Sequence, residues 1–545
     1  MAETDRFNQS PAFVDVDLYE TDRPLREAVA ANGVDSEAET RLLAAFGRRW
    51  GAAEMADHAR LANENPPRLE AYDAKGFRRD LVEYHPSYHH LLKESVGASL
   101  HSSSWTPDGG RAEPPANVAR AARCYMVAQV ENGHLCPIIT THAAVAPLTA
   151  GNGAAAAMIR KVVTRHYDPS FRPWEEKFGM TLGMALTERQ AGTDVRVAVT
   201  RAEPCEDGFS ITGQKWFVSA PMSDAFVVLA QSEAGPSCFL VPRFRPDGEV
   251  NALQYVRTKN KLGNRSNASV EMELRGAFGW LLGEEGRGVR LAMEMVQLGR
   301  LDCAVSSAGL MRAALDRALH HARHRIVFGK NLIAQPMMRA VLADLALDVE
   351  AAVALVMRLA RSLDLAAADP HERLRARLLT PVAKYQVAKI APALIAEAME
   401  CLGGNGFIED GVLPRLYREA PVNAIWEGSG NVVCLDVLRI LAREREAVLG
   451  VVAALAAEAG DLAGADEAVA AVREAIDHPE PERVARRAVE RLALLACAAA
   501  LRSGGSPVAE TFARTRLAGP ATFTYGTRPL SIAEIDRLLE RVLPE

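Results

Sequence analysis

The sequence lacks several features that would place a chain in a protein class at once. Its eight cysteines are scattered and include no CxxC pair, which argues against a zinc site or a disulfide framework and favours reduced thiols. Apolar runs such as LALLACAAAL (492–501) are about half the length of a membrane-spanning helix. The N-terminus, MAETDRFNQSPAF, has no basic region followed by an apolar one. We therefore expect an intracellular, cytoplasmic protein.

Other absences narrow the function. The chain contains no P-loop, no serine nucleophile elbow and no internal repeat. Its net charge of −6 argues against indiscriminate nucleic-acid binding. Two histidine-rich segments, HPSYHH (85–90) and HHARHR (320–325), offer no evident third metal ligand, so we predict no metal site.

The order of local patterns predicts the fold class. A chain of 545 residues, 49% of them hydrophobic, is long enough for several domains with large cores. Short β-prone runs such as FSITGQKWFVS and AFVVLAQ lie between stretches of helical periodicity. This order favours a mainly α, α+β fold over a doubly wound one. The predicted domains are a helical domain (1–180), a β-domain (181–283), a helical bundle (284–443) and a helical extension (444–545).

Three separated stretches carry the chemistry: MALTERQAGTDV (184–195), GQKWFVSAP (213–221) and ECLGGNGFIEDGVLPRLYREAPVNAIWEGSGN (400–431). Together with Arg300 and with RHRIVFG, which contains Arg325 and Phe328, they resemble the acyl-CoA dehydrogenase flavoprotein family. The resemblance spans residues 180–440. It implies a β-barrel or sandwich between two helical domains, FAD as cofactor, and oxidation of an acyl-CoA thioester.

The chain is most similar to the AidB-like branch of that family, which is associated with the response to DNA alkylation. The segments that carry this similarity are NPPRLEAYD (65–73), ENGHLCPI (131–138), KLGNRSNAS (261–269) and the C-terminal extension. The resemblance implies binding of double-stranded DNA through the extension and a weak, isovaleryl-type acyl-CoA dehydrogenase activity.

A flavin that accepts a hydride needs hydrogen-bond donors at its N1/O2 edge, because they stabilise the reduced anion. Amides and hydroxyls around Leu186, Thr187 and Ser219 suit this requirement. The resemblance assigns flavin contacts to Phe217, Val218 and Ser219, and pyrophosphate contacts to Gly192 and Thr193. Ordinary turn chemistry is the alternative for these loops.

The resemblance also implies an oligomer. Gly403 and Gly404 form a turn that a phosphate or an adenine is able to approach closely. In the family this turn, together with Arg325 and Phe328, reaches the FAD of the neighbouring subunit, which implies a homodimer at least and commonly a dimer of dimers. The resemblance places Ser429 and Asn431 beside the flavin pyrophosphate; Ser429 is also a candidate N-cap.

Glu427, in AIWEGSGN (424–431), is the predicted catalytic base. A carboxylate that removes the α-proton of a thioester must be ionised but poorly solvated, and burial raises its pKa. Trp426, on its N-terminal side, is a predicted cofactor contact; it stands where most relatives have Tyr and changes the shape of the cavity. The alternative for Glu427 is an acid in the first turn of a helix. Arg300 matches a substrate-side arginine of the family, and its alternative is a buried ion-pair partner.

The predicted DNA-binding residues are arginines of the extension. Between 483 and 528 eight arginines stand against two acids, although the extension as a whole is slightly acidic. Four of them have the spacing of one helical stripe, which is able to follow phosphates. A solvated face paired with acids is the alternative. The predicted contacts are Arg483, Arg486, Arg487, Arg491, Arg514 and Arg516.

Three functions remain open at this point. The first is a DNA-binding flavoprotein of the alkylation response. The second is a metabolic short- or branched-chain acyl-CoA dehydrogenase whose extension only mediates oligomerisation. The third is oxidation of a different C–H acid, such as a nitroalkane, by the same base.

Overall fold

A computed structural model describes residues 7–151, 153–520, 522 and 524–543. The contacts of the chain form two units. The first contains Met1–Ala56, Pro114–Val130 and Arg300–Glu545, and the second contains Asp57–Glu113 and Glu131–Gly299. The N-terminal helical segment contributes residues to both units, and the four domain bounds given by the sequence remain a prediction.

Helices dominate the first third of the chain and everything after residue 287, while the large sheet lies between them, as the sequence predicts. The helices are α1 (Arg23–Ala31), α2 (Glu37–Gly51), α3 (Ala53–Glu64), α4 (Pro86–Gly97), α5 (Ala116–Ala128), α6 (Leu135–Leu148), α7 (Gly153–Val162), α8 (Gly288–His324), α9 (Pro336–Leu365), α10 (Pro370–Cys401), α11 (Leu413–Asn423), α12 (Gly430–Arg443), α13 (Arg445–Ala459), α14 (Ala465–Asp477), α15 (Ala485–Ser503), α16 (Ala509–Phe512) and α17 (Ile532–Val542).

Two short hairpins accompany the seven strands of the large sheet. The hairpins are β1 (Arg68–Tyr72) with β2 (Arg78–Glu83), and β10 (Ile326–Val327) with β11 (Lys330–Asn331). The large sheet contains β3 (Leu182–Ala185), β4 (Arg201–Cys205), β5 (Gly208–Ser219), β6 (Ala225–Ser232), β7 (Gly235–Pro242), β8 (Leu253–Thr258) and β9 (Ser269–Leu282).

The large sheet of the second unit closes on itself. Its strands follow the order β3-β6-β4-β5-β9-β7, and β6 also pairs with β7, so the last strand of this path returns to the second and closes a ring. Closure gives the strands an inner face that side chains fill. Ile211, Val218, Phe239, Val270 and Met272 belong to this core. The predicted β-domain is therefore a filled barrel.

Close helix packing builds the first unit. At Gly309 of α8 an added Cβ would lie 2.5 Å from the carbonyl oxygen of Tyr125 in α5, so only glycine permits the approach of these two helices. The buried guanidinium of Arg120 in α5 also pairs with Asp302 in α8 at 2.7 Å. The two helices are therefore fixed by both close packing and an enclosed ion pair.

The helix predicted over 35–63 is two helices. Ser36 caps α2 by accepting a hydrogen bond from the Glu39 amide, as the sequence predicts for its start. The helix ends at Ala52, which is extended, and α3 begins at Ala53. A Cβ added at Gly51 would lie 1.8 Å from the carbonyl oxygen of Val16, so contact with the preceding segment fixes the break.

The C-terminal extension is joined to the helical core by buried arginines. Arg541 of α17 pairs with Glu350 of α9 at 2.7 Å, and Arg375 of α10 pairs with Glu458 of α13. Breaking such enclosed pairs leaves a charge without compensation in a poorly solvated place. Within the described residues, no helix combines the length and apolar character that crossing a bilayer requires.

Candidate active site

Glu427 lies in the turn that connects α11 to α12, and its backbone is left-handed. Its φ is +55°, and the next residue, Gly428, has a φ of +106°. A residue with a Cβ rarely adopts such a φ, because its side chain crowds the backbone. Gly428 adopts this φ without cost, whereas Glu427 needs external contacts that maintain it.

Two buried cations bind the carbonyl groups of this turn. Arg300 of α8 donates from Nε to the Glu427 carbonyl oxygen at 2.9 Å, and Lys384 of α10 donates from Nζ to the Gly428 carbonyl oxygen. Arg300 is 2% exposed and Lys384 is 1% exposed. Arg300 also pairs with Asp436 of α12. Arg300 is thus a buried ion-pair partner, which was the alternative to a substrate contact. The substrate-side role of Arg300 stays a prediction.

The surroundings of Glu427 raise the pKa of its carboxyl group into the range that suits a base near neutral pH. Burial raises the pKa of its carboxyl to about 7, although the positive charges of Arg300 and Lys384 oppose that rise. Burial also lowers the pKa of Lys384 to about 8. Glu427 precedes Ser429, the N-cap residue of α12, and is therefore outside the first turn of that helix. The alternative of a first-turn acid does not describe this position.

Two successive hydrogen bonds hold the side chain of Trp426. Its indole Nε1 donates to Asn423 Oδ1 at 3.0 Å, and Asn423 Nδ2 donates to Ser307 Oγ of α8 at 3.1 Å. Because Asn423 and Ser307 are buried, this chain fixes the orientation of the half-buried indole next to Glu427.

The start of α12 carries the two residues predicted beside the flavin pyrophosphate. Ser429 occupies the N-cap position, but its side chain makes no capping hydrogen bond. The exposed Asn431 accepts a hydrogen bond from Arg486 Nε at 2.9 Å. A Cβ added at Gly430 would lie 2.8 Å from Lys389 Cε. Two cationic side chains therefore adjoin this helix N-terminus, a combination that suits a phosphate group.

In the second unit, a buried ion pair holds the loop that contains Leu186, Thr187, Gly192 and Thr193. Glu188 Oε1 lies 2.8 Å from Lys215 Nζ, and Lys215 also donates to the Leu186 carbonyl oxygen at 3.3 Å. Burial alone would raise the pKa of Glu188, but Lys215 and the amide of Val199 hold it at about 2. Leu186 and Thr187 are half-buried, while Gly192 and Thr193 are exposed.

The end of strand β5 presents Phe217 and Ser219 away from the barrel core. The Phe217 side chain is exposed and Ser219 is half-buried, whereas Val218 is buried in the core. Any contact of Val218 with a flavin would therefore use its backbone. Trp216 carries two cations over its ring, Arg189 at 4.8 Å and Lys259 at 3.3 Å.

Glycines leave room for close approach of a cofactor. A Cβ added at Gly403 or Gly404 would meet no atom within 4 Å, and one at Gly192 would meet only the Thr187 methyl group at 3.6 Å. Open space beside backbone amides is what a phosphate-binding turn requires. These positions fit the predicted FAD contacts.

Arg325 and Phe328 lie at the hairpin that follows α8. Arg325 donates to the Asn8 carbonyl oxygen at 2.7 Å. Phe328 is 93% exposed and has a left-handed φ of +52°. Such an exposed aromatic residue suits a contact with another molecule, and its predicted contact with a neighbouring subunit's FAD stays a prediction.

The predicted arginine stripe is divided between two elements. Arg483 ends a short 3₁₀ helix (Pro481–Arg483) that precedes α15, so it does not share one helix with the other three arginines. Arg487 is exposed and lies 3.2 Å from Glu474. Arg491 is half-buried and donates to the Leu517 carbonyl oxygen. The exposed face of the stripe consists of Arg483, Arg486 and Arg487.

Arg516 does not belong to an exposed surface, which corrects its prediction as a DNA contact. Its guanidinium is buried and lies 2.6 Å from Asp344 and 2.6 Å from Asp348, both in α9. A side chain enclosed in this way does not reach a phosphate. Arg514 is exposed, but it donates to Glu534 at 2.6 Å and to the Pro529 carbonyl oxygen at 2.8 Å.

The histidines near the end of α8 contact backbone carbonyl groups. His320 Nε2 lies 2.8 Å from the Pro11 carbonyl oxygen, and His324 Nδ1 lies 2.8 Å from the carbonyl oxygen of His320. Their rings are 4.5 Å apart. Hydrogen bonds to backbone carbonyl oxygens therefore explain the positions of both histidine side chains.

Sequence reasoning missed Lys384, Asp436, Glu188 and Lys215. Glu188 lies in LTERQAGTD and Lys215 lies in GQKWFVSAP. Because both are close in sequence to candidate flavin contacts, the motifs themselves indicated that these two residues belong to the site. Lys384 gave only a weaker signal, as a lysine within the apolar run PVAKYQVAKIA. Asp436 follows the base by nine positions, and only the fold shows that Arg300 faces it.

Three domain families match successive parts of the chain. Residues 8–169 match the family described as Adaptive response protein AidB N-terminal domain. Residues 183–277 match the acyl-CoA dehydrogenase middle domain, and residues 286–442 match the acyl-CoA dehydrogenase C-terminal domain.

Whole-chain relatives agree with these matches. The Escherichia coli (strain K12) protein named "Putative acyl-CoA dehydrogenase AidB" is 45% identical over 504 residues, which are 92% of each chain. Acyl-CoA dehydrogenase family member 11 of Caenorhabditis elegans is 32% identical over 426 residues, 75% of this chain and 67% of that protein. The crystal structure of Caenorhabditis elegans ACDH-11 in complex with C11-CoA superposes with a TM-score of 0.82 at 27% identity, and covers 94% of this chain and 93% of that one.

Proposed function

Because the chain belongs to the acyl-CoA dehydrogenase family, and within it to the AidB-like branch, we propose that Glu427 removes the α-proton of an acyl-CoA thioester. The protein is an FAD-dependent oxidoreductase of that family. The observation that carries the assignment of the base is the position of Glu427 in a turn held by two buried cations, where burial raises the pKa of its carboxyl to about 7. A base with a pKa near the working pH combines sufficient ionisation with sufficient proton affinity.

The site residues have different roles in the proposed reaction. Glu427 takes the proton, while Arg300 and Lys384 hold its backbone and Trp426 adjoins it in the sequence. FAD, when bound, supplies the acceptor for the hydride that leaves the β-carbon. Donors around Leu186, Thr187 and Ser219 would face the flavin ring, and Phe217 and Val218 would line it. Gly192, Thr193, Ser429 and Asn431 would hold the pyrophosphate.

The substrate class is tested on the bound flavin. We propose an acyl-CoA thioester, with short branched chains such as isovaleryl-CoA oxidised slowly. Under anaerobic conditions, isovaleryl-CoA, butyryl-CoA or undecanoyl-CoA is expected to bleach the oxidised flavin absorbance, and Glu427→Gln is expected to abolish the bleaching. A protein that fails to bind FAD, or whose flavin no thioester of this panel reduces, would overturn the proposed dehydrogenase function.

A second role, DNA binding in the response to alkylation, is favoured by the exposed arginines. Arg483, at the end of the short 3₁₀ helix, and Arg486 and Arg487, in the first turn of α15, are exposed. Each phosphate contact adds affinity that falls with salt, and oligomerisation multiplies the surface. Arg514 extends this set, and Arg491 contributes less because it is half-buried. We also place the protein in the cytoplasm as a homo-oligomer, with Arg325, Phe328, Gly403 and Gly404 facing the neighbouring subunit.

Duplex binding separates the DNA-binding role from a purely metabolic one. Fluorescence anisotropy with a labelled DNA duplex is measured between low and physiological salt for wild type and for the double variant Arg483→Glu/Arg487→Glu. We expect weaker binding and a shallower salt dependence for the variant. The control is Arg41→Glu, an exposed arginine of α2. An absence of duplex binding by wild type at low salt, or equal losses in both variants, would favour the metabolic alternative.

Arg486 is excluded from that double variant because it contacts Asn431. Its substitution would therefore affect both the proposed pyrophosphate site and the proposed DNA surface. We expect Arg486→Ala to weaken FAD binding to the apoprotein, whereas Arg487→Ala leaves it unchanged, as measured by flavin fluorescence titration. Equal FAD affinity in the two variants would separate Arg486 from the cofactor site.

A further inference from the structure

A lysine is connected to the candidate flavin contact Ser219 through one intervening hydroxyl group. Ser219 is the last residue of β5 and pairs in register with Ser269, the first residue of β9. Their hydroxyl oxygens lie 2.9 Å apart. Lys261, in the β8–β9 connection, places its Nζ 3.2 Å from Ser269 Oγ. The three groups form a continuous chain of hydrogen bonds.

The chemistry of lysine fixes the direction of the first hydrogen bond and permits one direction for the second. A charged ammonium group has only donors, so Ser269 must accept the hydrogen bond from Lys261. Ser269 is then free to donate its own proton to Ser219 Oγ. With this direction, Ser219 accepts from Ser269 and keeps its own hydroxyl hydrogen for a further acceptor. Among the described residues, the hydrogen-bond partner of the Ser219 side chain is Ser269 alone, and Ser219 is half-buried.

We propose that Lys261 and Ser269 are positioning residues that make the Ser219 hydroxyl a hydrogen-bond donor to the ring of the bound flavin. This inference rests on the proposed function, since it needs FAD beside Ser219. A donor fixed in this orientation stabilises the negative charge of the reduced flavin more than it stabilises the neutral oxidised ring. Lys261 therefore favours the reduced cofactor without contacting it.

Lys261 also has a structural role, which the experiment must separate from this one. Its Nζ donates to the Asn267 carbonyl oxygen at 2.7 Å and lies 3.2 Å from Asn264 Oδ1, within its own connection. Asn264 has a left-handed φ of +55°, so these contacts also hold a strained loop. A loss of activity alone would not distinguish the two roles.

The test measures the equilibrium reduction of the bound flavin. The FAD-loaded wild type and the variants Lys261→Met, Ser269→Ala, Ser219→Ala and Lys261→Met/Ser219→Ala are reduced anaerobically against a reference dye. At a fixed dye ratio, we expect the ratio of reduced to oxidised flavin to fall about tenfold in each single variant, because one hydrogen bond to a charged group is lost. The double variant is expected to match Ser219→Ala alone, since Lys261 acts through Ser219.

Two controls complete the comparison. Arg265→Met removes a cation from the same connection; its Nε donates to the Leu262 carbonyl oxygen, and it is expected to leave the flavin equilibrium unchanged. Ser269→Thr keeps the hydroxyl and is expected to keep wild-type behaviour. If Lys261→Met changes the equilibrium equally with and without Ser219, its charge acts directly and the proposed relay is wrong. An unchanged equilibrium in Lys261→Met also overturns it, while a wild-type protein that binds no FAD refutes the proposed function instead.

Discussion

Arg300 Nε and the carbonyl oxygen of Glu427 are joined by a hydrogen bond of 2.9 Å, although the two residues are 127 positions apart in the chain. Through this bond a buried guanidinium contacts the backbone of the candidate base, while its other end pairs with Asp436. Lys384 repeats the arrangement at the next carbonyl group. The turn that carries Glu427 is therefore maintained by two cations whose charges also oppose the rise of its pKa.

The pH dependence of flavin reduction should report the ionisation of Glu427. Its pKa is raised to about 7, so the protonated, inactive carboxyl predominates below that pH and the active carboxylate above it. The rate of flavin reduction at low acyl-CoA concentration should therefore rise about tenfold per pH unit below 7 and level off above it. Anaerobic stopped-flow measurements between about pH 5.5 and 8.5 check this rise and the plateau that follows it. A flat profile across this range would exclude Glu427 as the titrating base.

Glu427→Gln should stabilise the protein while it abolishes proton removal. The folded-state pKa lies above the ordinary value of 4.5, so the favourable contribution of the protonated carboxyl is complete below 4.5 and is lost as the pH rises through 7. Glutamine stays neutral and avoids this loss. We expect the variant to gain about 1–3 kcal/mol at pH 8 and nothing at pH 4.5.

Thermal unfolding at the two pH values measures this difference. Glu294→Gln, at an exposed position of α8, controls for the general effect of replacing an acid by an amide. An identical gain at both pH values would show that the stabilisation does not come from the ionisation of Glu427.

Local patterns predicted the order of helices and strands because each pattern depends on neighbouring residues. The hydrophobic alternation of β5 and the long helical periodicity of α8 are readable in that way. The break at Ala52 was not, since it results from contact between Gly51 and Val16, which are far apart in the sequence. Closure of the barrel by the pairing of β6 with β7 also required the structure.

The candidate site shows the same division. Motifs identified Glu427 and its neighbours, but Lys384 reaches Gly428 from a helix that begins more than fifty residues earlier, and no local pattern connects them. At Arg516, by contrast, the sequence predicted a functional residue that the structure excludes, because the arginine-rich pattern grouped Arg516 with exposed arginines. Its partners Asp344 and Asp348 lie in α9, so only tertiary contacts show that its charge is enclosed.

Lys384→Met should move the pH profile of flavin reduction upward. The ammonium of Lys384 lowers the pKa of Glu427, and its removal leaves burial less opposed, so the pKa of the base should rise. At pH 7 the variant should therefore be slower than wild type, and the difference should shrink towards pH 9. Stopped-flow profiles of the variant and of Arg373→Met, an exposed cation of the same helix, measure the shift. A reduced rate with an unmoved profile would limit Lys384 to holding the turn.

Arg516→Ala should destabilise the fold and leave the salt dependence of duplex binding unchanged. The guanidinium is enclosed between Asp344 and Asp348, so truncation leaves Asp348 without its cation and Asp344 with only the more distant Arg528 at 3.4 Å. Loss of one member of a buried ion pair costs about 3–5 kcal/mol. Arg487→Ala, at an exposed pair with Glu474, should cost at most about 1 kcal/mol.

Urea unfolding of both variants, followed by duplex anisotropy on the folded protein, separates the two roles of arginine in the extension. We expect a lower unfolding midpoint with wild-type duplex affinity for Arg516→Ala, and the reverse for Arg487→Ala. An enclosed guanidinium contributes to stability through its partners, whereas an exposed one contributes to phosphate binding through its accessible charge. An Arg516→Ala protein with an unchanged midpoint and weakened duplex binding would return Arg516 to the DNA surface, and would require α9 to separate from the extension when DNA binds.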